Sequence, residues 1–264
     1  MEPNVVVCVL SGGQDSTTCL FWAKQKFKGV PIAAISFDYG QKHSREIDCA
    51  HKIAELADVS AHVVKSLSPL MGRSPLINSE TKLGQYKNPE QLPGGIEPTF
   101  IPCRNIVFLT YAANYAMFLA DGLQHARIHL VTGVCDADYG GYPDCRKEFI
   151  SCVEATLNQG IFGHAGYIND EYSIADSYII IETPLMALTK AATVILADKL
   201  GCLDKLAYTH TCYEGTEIPC RECHACIIRE RGFVDAGIPD PLVIKYGGDW
   251  PPSWAMRKVP ARSL

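Results

Sequence analysis

The sequence predicts an α/β protein built on a doubly wound, mostly parallel sheet. Short apolar runs rich in β-branched residues recur along the chain, and segments with helical periodicity lie between them. This alternation is typical of strand–helix units, whose strands pair in parallel and whose helices cover both faces of the sheet. The 264 residues provide ample core for one large domain of this kind.

Each element can be placed from the same patterns. Strands are expected where apolar runs end in turn residues, at 4–10, 31–37, 61–66, 127–133 and 178–182. Helices are expected at 15–28, 44–57 and 105–119, and a further helix opens at Lys190.

Three stretches interrupt the alternation. Residues 70–100 and 160–176 are long and polar, so we expect lids, binding loops or segments without fixed structure. From residue 238 onward, repeated prolines and glycines predict an irregular tail that wraps the body.

The composition favours a small-molecule substrate. A net charge of −5 and a pI near 5.9 do not provide the basic surface that direct binding to nucleic acid demands. No apolar run approaches the roughly 18 residues that cross a bilayer, and residues 1–4 do not begin a signal peptide. We therefore expect a cytoplasmic protein without a membrane partner.

A glycine-containing loop follows the first strand and precedes the first helix. Ser11, Gly12 and Gly13 offer backbone amides, and the helix that follows adds the partial positive charge of its N-terminus, so the loop predicts a phosphate site. It is neither a Walker loop nor a dinucleotide fingerprint, because the required Lys and third Gly are absent. A capped turn without a ligand would use the same residue types. The predicted nucleotide contacts are Leu10, Ser11, Gly12, Gly13, Gln14, Asp15, Ser16, Thr17 and Thr18.

Four of the 12 cysteines have the spacing of a metal site. Cys212, Cys220, Cys223 and Cys226 form a C-x7-C-x2-C-x2-C pattern, which suits tetrahedral zinc with no open position. The predicted zinc is therefore structural. Free or disulfide-bonded thiols are the alternative, which a reducing compartment disfavours. The expected division is an α/β domain at 1–208, a zinc-binding segment at 209–235 and the tail at 236–264.

The motifs resemble those of a known family. The loop resembles that of the ATP pyrophosphatases, which have an adenine-nucleotide alpha-hydrolase-like fold. Together with FDYGQKH, FIPCRN, DYGGYPDCR, TPLM and the cysteine pattern, LSGGQDSTT resembles the QueC family of 7-cyano-7-deazaguanine synthases, in order from residue 5 to residue 233. The resemblance implies ATP-dependent conversion of 7-carboxy-7-deazaguanine and ammonia to the nitrile through adenylated intermediates. It also implies Mg²⁺ with the ATP, and we expect a homodimer.

Three other readings stay open at this point. A related enzyme could transfer the activated deazaguanine to a protein amine. A different ATP pyrophosphatase, such as a tRNA-thiolating enzyme, shares the loop, and a zinc-stabilised adaptor could retain the fold without turnover.

The resemblance also implies residue roles. The expected catalytic residues are Ser11, Asp15, Ser16, Arg104 and Lys190. Ser36, Phe37 and Asp38 are expected near the adenosine. Tyr39, Gln41, Arg104, Asp136, Asp138, Tyr142 and Asp144 are expected to bind the deazaguanine. A surface lysine, a helix cap and ordinary turns are the alternatives for Lys190, Arg104 and the aspartates.

Two positions depart from the family pattern. Cys103 and Arg221 stand where the family usually has glycine. We expect Cys103 to narrow the substrate site, and we expect the zinc loop to tolerate Arg221 if its backbone avoids positive φ.

Overall fold

The computed structural model describes residues 4–41, 45–67, 70, 72–78, 80–123, 125–135, 142–163 and 177–256. It contains the predicted strands, at Val5–Val9 (β1), Ile32–Asp38 (β2), Ala61–Ser66 (β3), Arg127–Val131 (β4) and Tyr178–Glu182 (β5). The helices are Gln14–Lys26 (α1), Arg45–Leu56 (α2), Arg104–Leu119 (α3), Lys147–Phe162 (α4), Lys190–Lys199 (α5), His224–Ala236 (α6) and Pro241–Lys245 (α7). Short 3-10 helices lie at Pro89–Gln91, Pro143–Cys145, Leu203–Tyr208 and Ser253–Ala255.

The five strands form one parallel sheet in the order β3-β2-β1-β4-β5. The predicted α/β fold is therefore confirmed. The strand order reverses at β1, since β2 and β3 lie on one side of it and β4 and β5 on the other. Sheets of this kind bind ligands beyond the carboxyl ends of the strands at such a reversal. The loop after β1 lies at that point.

Two layers of helices cover the sheet because side chains on each strand alternate between its faces. Val5 and Val7 pack with α3 and α4, whereas Val6 and Cys8 pack with α1 and α2. A smaller core joins α5 and α6 through Val194, Phe233 and their neighbours. No helix in the described ranges is long and apolar enough to cross a membrane.

The structure differs from the sequence-based expectations in three segments. Helices α4 and α6 were not expected, and α4 extends to Phe162, so the first residues of the 160–176 loop are helical. Residues 164–176 lie outside the described part of the chain. The tail contains α7, whose N-cap Asp240 is fully buried. The described part of 70–100 contains one regular element, the 3-10 helix Pro89–Gln91.

Candidate functional site

A pocket of about 230 Å³ lies beyond the carboxyl ends of β1, β2 and β4. Its walls include the loops after β1, β2 and β4, the starts of α2, α3 and α5, and the segment that leads into the cysteine cluster. The candidate site is therefore assembled at the reversal of the strand order, where the topology favours a ligand.

The backbone of the phosphate loop requires glycine at one position. Gly12 has φ +81°, and a Cβ on it would lie 2.2 Å from the carbonyl oxygen of Glu46. The next residue, Gly13, is the N-cap of α1, where no side chain caps the helix. The hydroxyls of Ser11 and Ser16 are 3.0 Å apart, and the Gly13 amide donates to the Ser11 hydroxyl at 3.3 Å. This loop presents the start of α1 to the pocket, which favours an anion.

Several predicted nucleotide contacts support the loop from behind. Thr17 and Thr18 are fully buried, and their hydroxyls donate to the carbonyls of Gly13 and Gln14 at 2.8 and 2.9 Å. Ser36 is also fully buried and donates to the Leu10 carbonyl at 2.5 Å. These residues position the loop, whereas Leu10, Ser11, Gly13, Gln14, Asp15 and Ser16 line the pocket.

Lys190 is a buried residue of the pocket wall and not a surface lysine. Its Nζ donates to both carboxylate oxygens of Asp15, at 2.9 and 2.7 Å, and its side chain is 6% exposed. Gly232 of α6 accommodates it, since a Cβ there would lie 2.5 Å from Lys190 Cγ. The packing of α6 on α5 therefore fixes a cation beside the phosphate loop.

Arg104, at the first position of α3, lines the same pocket as this pair. Its guanidinium bonds to the Tyr39 hydroxyl, and burial raises the pKa of that hydroxyl to about 12. Glu46 of α2 lines the same pocket. Burial raises the pKa of its carboxyl to about 7, an effect that Arg104 partly offsets. The site thus contains a guanidinium and a carboxyl group that titrates near neutrality.

The structure brings some predicted adenosine and deazaguanine contacts to the pocket and leaves others outside. Phe37 lines it and stacks on Phe108 at 4.3 Å, whereas Asp38 is exposed. Gln41 accepts from the Tyr39 amide at 2.8 Å and lines an adjoining chamber.

The second predicted binding segment is described only from Tyr142 onward. Tyr142 lines the pocket with its hydroxyl 2.8 Å from that of Thr99. Asp144 is buried behind Arg104, and burial raises the pKa of its carboxyl, which Arg104 lowers in part. Asp136 and Asp138 lie outside the described residues.

The four predicted zinc ligands come together. The sulfur atoms of Cys212, Cys220, Cys223 and Cys226 all lie within 4.8 Å of one another. Zinc–sulfur bonds of about 2.3 Å place tetrahedral ligands about 3.8 Å apart, so the cluster fits one ion after a small contraction. The Tyr213 amide donates to the Cys223 sulfur and the Cys220 amide donates to the Cys212 sulfur, each at 3.4 Å. Such hydrogen bonds stabilise thiolates. Hydrogen bonds from the other thiols, Cys220 foremost, lower the pKa of Cys212.

Both residues that replace the family's glycines have positive φ. Cys103 has φ +66° and Arg221 has φ +62°. The condition set for tolerating Arg221, a backbone without positive φ, is therefore not met. The ion pair between Arg221 and the buried carboxylate of Glu230 holds the residue in this conformation. Cys103 is exposed and does not line the pocket, so the structure gives no sign that its side chain narrows the site.

Comparison with known proteins supplies the family. The model described as "Queuosine biosynthesis protein QueC" matches residues 5–237. The chain belongs to the QueC family. The resemblance inferred from the motifs is confirmed.

Curated QueC relatives cover nearly the whole chain. The 7-cyano-7-deazaguanine synthase of Gloeobacter violaceus is 43% identical over 256 residues, which are 96% of either chain. That of Chromobacterium violaceum is 44% identical over 89% of this chain and 91% of its own. A solved NH3-dependent NAD synthetase from Campylobacter jejuni is 11% identical over 78% of this chain and 68% of its own, with a TM-score of 0.40.

Some residues of this QueC pocket are absent from the sequence-based prediction. Glu46 and Tyr213 line it. Gly133, just after β4, also lines it and lies so close to α1 that a Cβ on it would be 3.0 Å from the Ser16 amide nitrogen. Gly133 carried a usable signal, because a glycine at the end of a strand often marks close approach of another backbone. Glu46 and Tyr213 carried none, since each reaches the pocket only through tertiary packing.

Proposed function

We propose that this chain converts 7-carboxy-7-deazaguanine, ammonia and ATP into 7-cyano-7-deazaguanine. One observation carries the proposal. In this member of the QueC family, the phosphate loop, the buried Lys190 and Arg104 all line one pocket. The loop suits the polyphosphate of ATP, and a guanidinium suits the carboxylate of the substrate.

The reaction has two adenylation steps. A carboxylate oxygen of the substrate attacks the α-phosphorus of ATP, the bond to the β-phosphate oxygen breaks and pyrophosphate leaves. Ammonia then attacks the acyl carbon, AMP leaves with the electron pair of the carbon–oxygen bond, and a proton is lost to give the amide. The amide oxygen attacks a second ATP in the same way, and loss of AMP and the remaining nitrogen-bound protons gives the nitrile. Stabilising the departing pyrophosphate is the task of the loop.

We propose roles for the predicted groups that line the pocket. Backbone amides of Ser11, Gly13 and Ser16 bind the phosphates, with Lys190 as a cation held by Asp15. We expect Mg²⁺ to accompany the ATP and neutralise its phosphates. Arg104 holds the carboxylate, and the segment from Asp136 to Asp144, with Tyr142, binds the deazaguanine ring. Tyr39 orients Arg104 through its hydroxyl.

The cysteine cluster holds one structural zinc ion in this proposal. Four protein sulfurs leave no position for substrate, so zinc contributes to folding by fixing the loop that carries His210 and Tyr213 into the pocket. Reduced thiols of this kind fit a cytoplasmic protein. We retain the division into an α/β domain, a zinc-binding segment and a tail as part of the proposal.

We also propose that two copies associate through the outer face of α3. From Asn105 to Leu119 this helix carries no charged residue. Phe118 is 73% exposed, and Tyr111 and Leu119 of α3, Leu123 after it and Ile161 of α4 are exposed as well. An uncharged apolar face can pair with its own symmetric copy without a complementary charge. Sedimentation of the wild type and of Phe118→Asp should give a dimer and a monomer, respectively, and a monomeric wild type would contradict this part.

Mass spectrometry tests the reaction directly. The protein is incubated with ATP, ¹⁵N-labelled ammonium and 7-carboxy-7-deazaguanine, and we expect labelled nitrile, AMP and pyrophosphate without any partner protein. Arg104→Met should reduce the rate by at least about 100-fold because the carboxylate loses its bidentate partner. Arg231→Met, an exposed residue of α6, is the matched control. Absence of deazaguanine-dependent pyrophosphate release from the wild type would refute the proposal.

A further inference from the structure

A small chamber adjoins the phosphate-loop pocket. It has a volume of about 20 Å³, which suits one or two molecules the size of water. Its walls are formed by Tyr39, Gln41, Glu46, Leu76, His210, Tyr213 and the predicted zinc ligand Cys212. All of these except Gln41 and Cys212 also line the main pocket, so the chamber opens directly into it.

Glu46 is fixed at the junction of the two spaces. It lies in the first turn of α2, and its backbone carbonyl lies against Gly12, where a Cβ would come within 2.2 Å. Its side chain therefore starts next to the phosphate loop. The residue is half-buried, and in the part of the chain that the structure describes no group donates a hydrogen bond to its carboxylate.

The charged and titratable neighbours of Glu46 leave its carboxylate available. Arg104 of α3 favours the ionised form electrostatically, but no ion pair joins the two residues within the described ranges. Tyr39 is engaged with Arg104, and burial keeps its hydroxyl neutral by raising its pKa to about 12. His210 Nε2 pairs with the Cys212 carbonyl at 2.8 Å, and Tyr213 completes the wall.

This combination suits a small cation. A desolvated carboxylate attracts positive charge. The chamber's size excludes side chains and metabolites and admits ammonium. Ammonium is the form of ammonia that dominates at neutral pH, and it must lose a proton before its nitrogen can attack a carbonyl.

We propose that Glu46 and the chamber around it bind ammonium and that the Glu46 carboxylate accepts its proton beside the phosphate loop. The inference rests on the proposed function and assigns the ammonia subsite of that reaction. Ammonium transfers one proton to the carboxylate, and the freed lone pair attacks the acyl carbon of the adenylate. The carbon–nitrogen bond forms as the carbon–oxygen bond to AMP breaks. The second proton leaves the nitrogen with AMP or solvent, and Glu46 returns its proton to water.

The test separates adenylation from use of ammonium. Exchange of labelled pyrophosphate into ATP, with 7-carboxy-7-deazaguanine and without ammonium, reports adenylation alone. Hydroxylamine is largely uncharged at neutral pH and traps the adenylate as a hydroxamate without needing a base. Glu46→Gln should keep exchange and hydroxamate formation within about 2-fold and reduce ammonium-dependent amide formation by at least about 100-fold. Glu46→Asp, which keeps a carboxylate, should recover part of that loss.

Glu55→Gln is the matched control, because Glu55 lies on the same helix with its side chain 71% exposed. It should change neither assay. Retained exchange in Glu46→Gln also reports that the variant folds. Equal losses of exchange and amide formation, or an unchanged ammonium dependence, would overturn the ammonium site and leave the proposed function standing. Absence of exchange in the wild type would refute both.

Discussion

Removing the charge of Asp240 should destabilise the protein more than any surface substitution on the neighbouring helix. Arg229 of α6 and Asp240 are 3% and 0% exposed, respectively. Arg229 donates to the two carboxylate oxygens at 2.6 and 2.9 Å. The guanidinium also donates to Thr209, to Thr211 and to the Leu206 carbonyl. This network fastens α7 and the 3-10 helix at Leu203–Tyr208 to α6.

The substitution Asp240→Asn isolates the contribution of the charge. An amide oxygen can still accept from the Leu242 amide, which now donates to Asp240 at 2.9 Å, so the N-cap of α7 is kept. Arg229 would be left as a buried cation without its carboxylate. Breaking a buried pair in this way costs about 3–5 kcal/mol. With a urea m-value of roughly 3 kcal/mol/M, the unfolding midpoint should fall by about 1–1.7 M.

The same helix provides the control. Arg231 and Asp235 form an i,i+4 pair at 3.4 Å with side chains 56% and 49% exposed. Asp235→Asn should therefore cost at most about 0.5 kcal/mol. Urea unfolding followed by circular dichroism measures both variants against the wild type. Equal midpoints for the two variants would refute the claim that the buried pair holds the C-terminal segment in place.

Four further results are expected. Gly12→Ala should abolish pyrophosphate exchange and lower stability by about 2–5 kcal/mol, because the new Cβ meets a backbone carbonyl and φ is positive. Lys190→Met should reduce the exchange rate by at least about 100-fold, whereas Lys199→Met at the end of α5 should not. Cys103→Gly should raise the urea midpoint, since relieving φ +66° is worth about 1 kcal/mol. The rate of ammonium-dependent turnover should fall as pH drops through about 7, where Glu46 becomes protonated. In Glu46→Gln, the remaining rate should lose this dependence on pH.

The fold was largely predictable because its signals are local. Each strand is an apolar run that ends in turn residues, and the observed bounds of β1, β2 and β4 differ from the expected ones by one or two residues. Helices α4, α6 and α7 had no prediction. In α4, Ile150, Val153 and Leu157 have helical spacing and pack on the sheet, so the signal was present. The short helix α7 depends on a buried ion pair with a distant residue, which no local pattern contains.

The candidate site was predictable only in part. The phosphate loop and the cysteine cluster follow from spacing, since neighbouring residues supply most of each. The burial of Lys190 could not be predicted from spacing, because it depends on the packing of α6 against α5. The position of Glu46 in the pocket could not be predicted from spacing either. Its residue type and helical position are unremarkable, and its chemistry arises from the chamber into which tertiary packing places it.

The segment that carries the cysteine cluster forms one wall of the candidate site. The His210 amide donates to the Gly12 carbonyl at 2.9 Å, so the residues that lead into the cluster brace the phosphate loop directly. Tyr213 and Ala225, on either side of the cluster, line the pocket. A metal that takes no part in the chemistry can thereby set the shape of the substrate site. The zinc-free protein would lose the geometry of its pocket together with the stability of its loop, because the same backbone provides both.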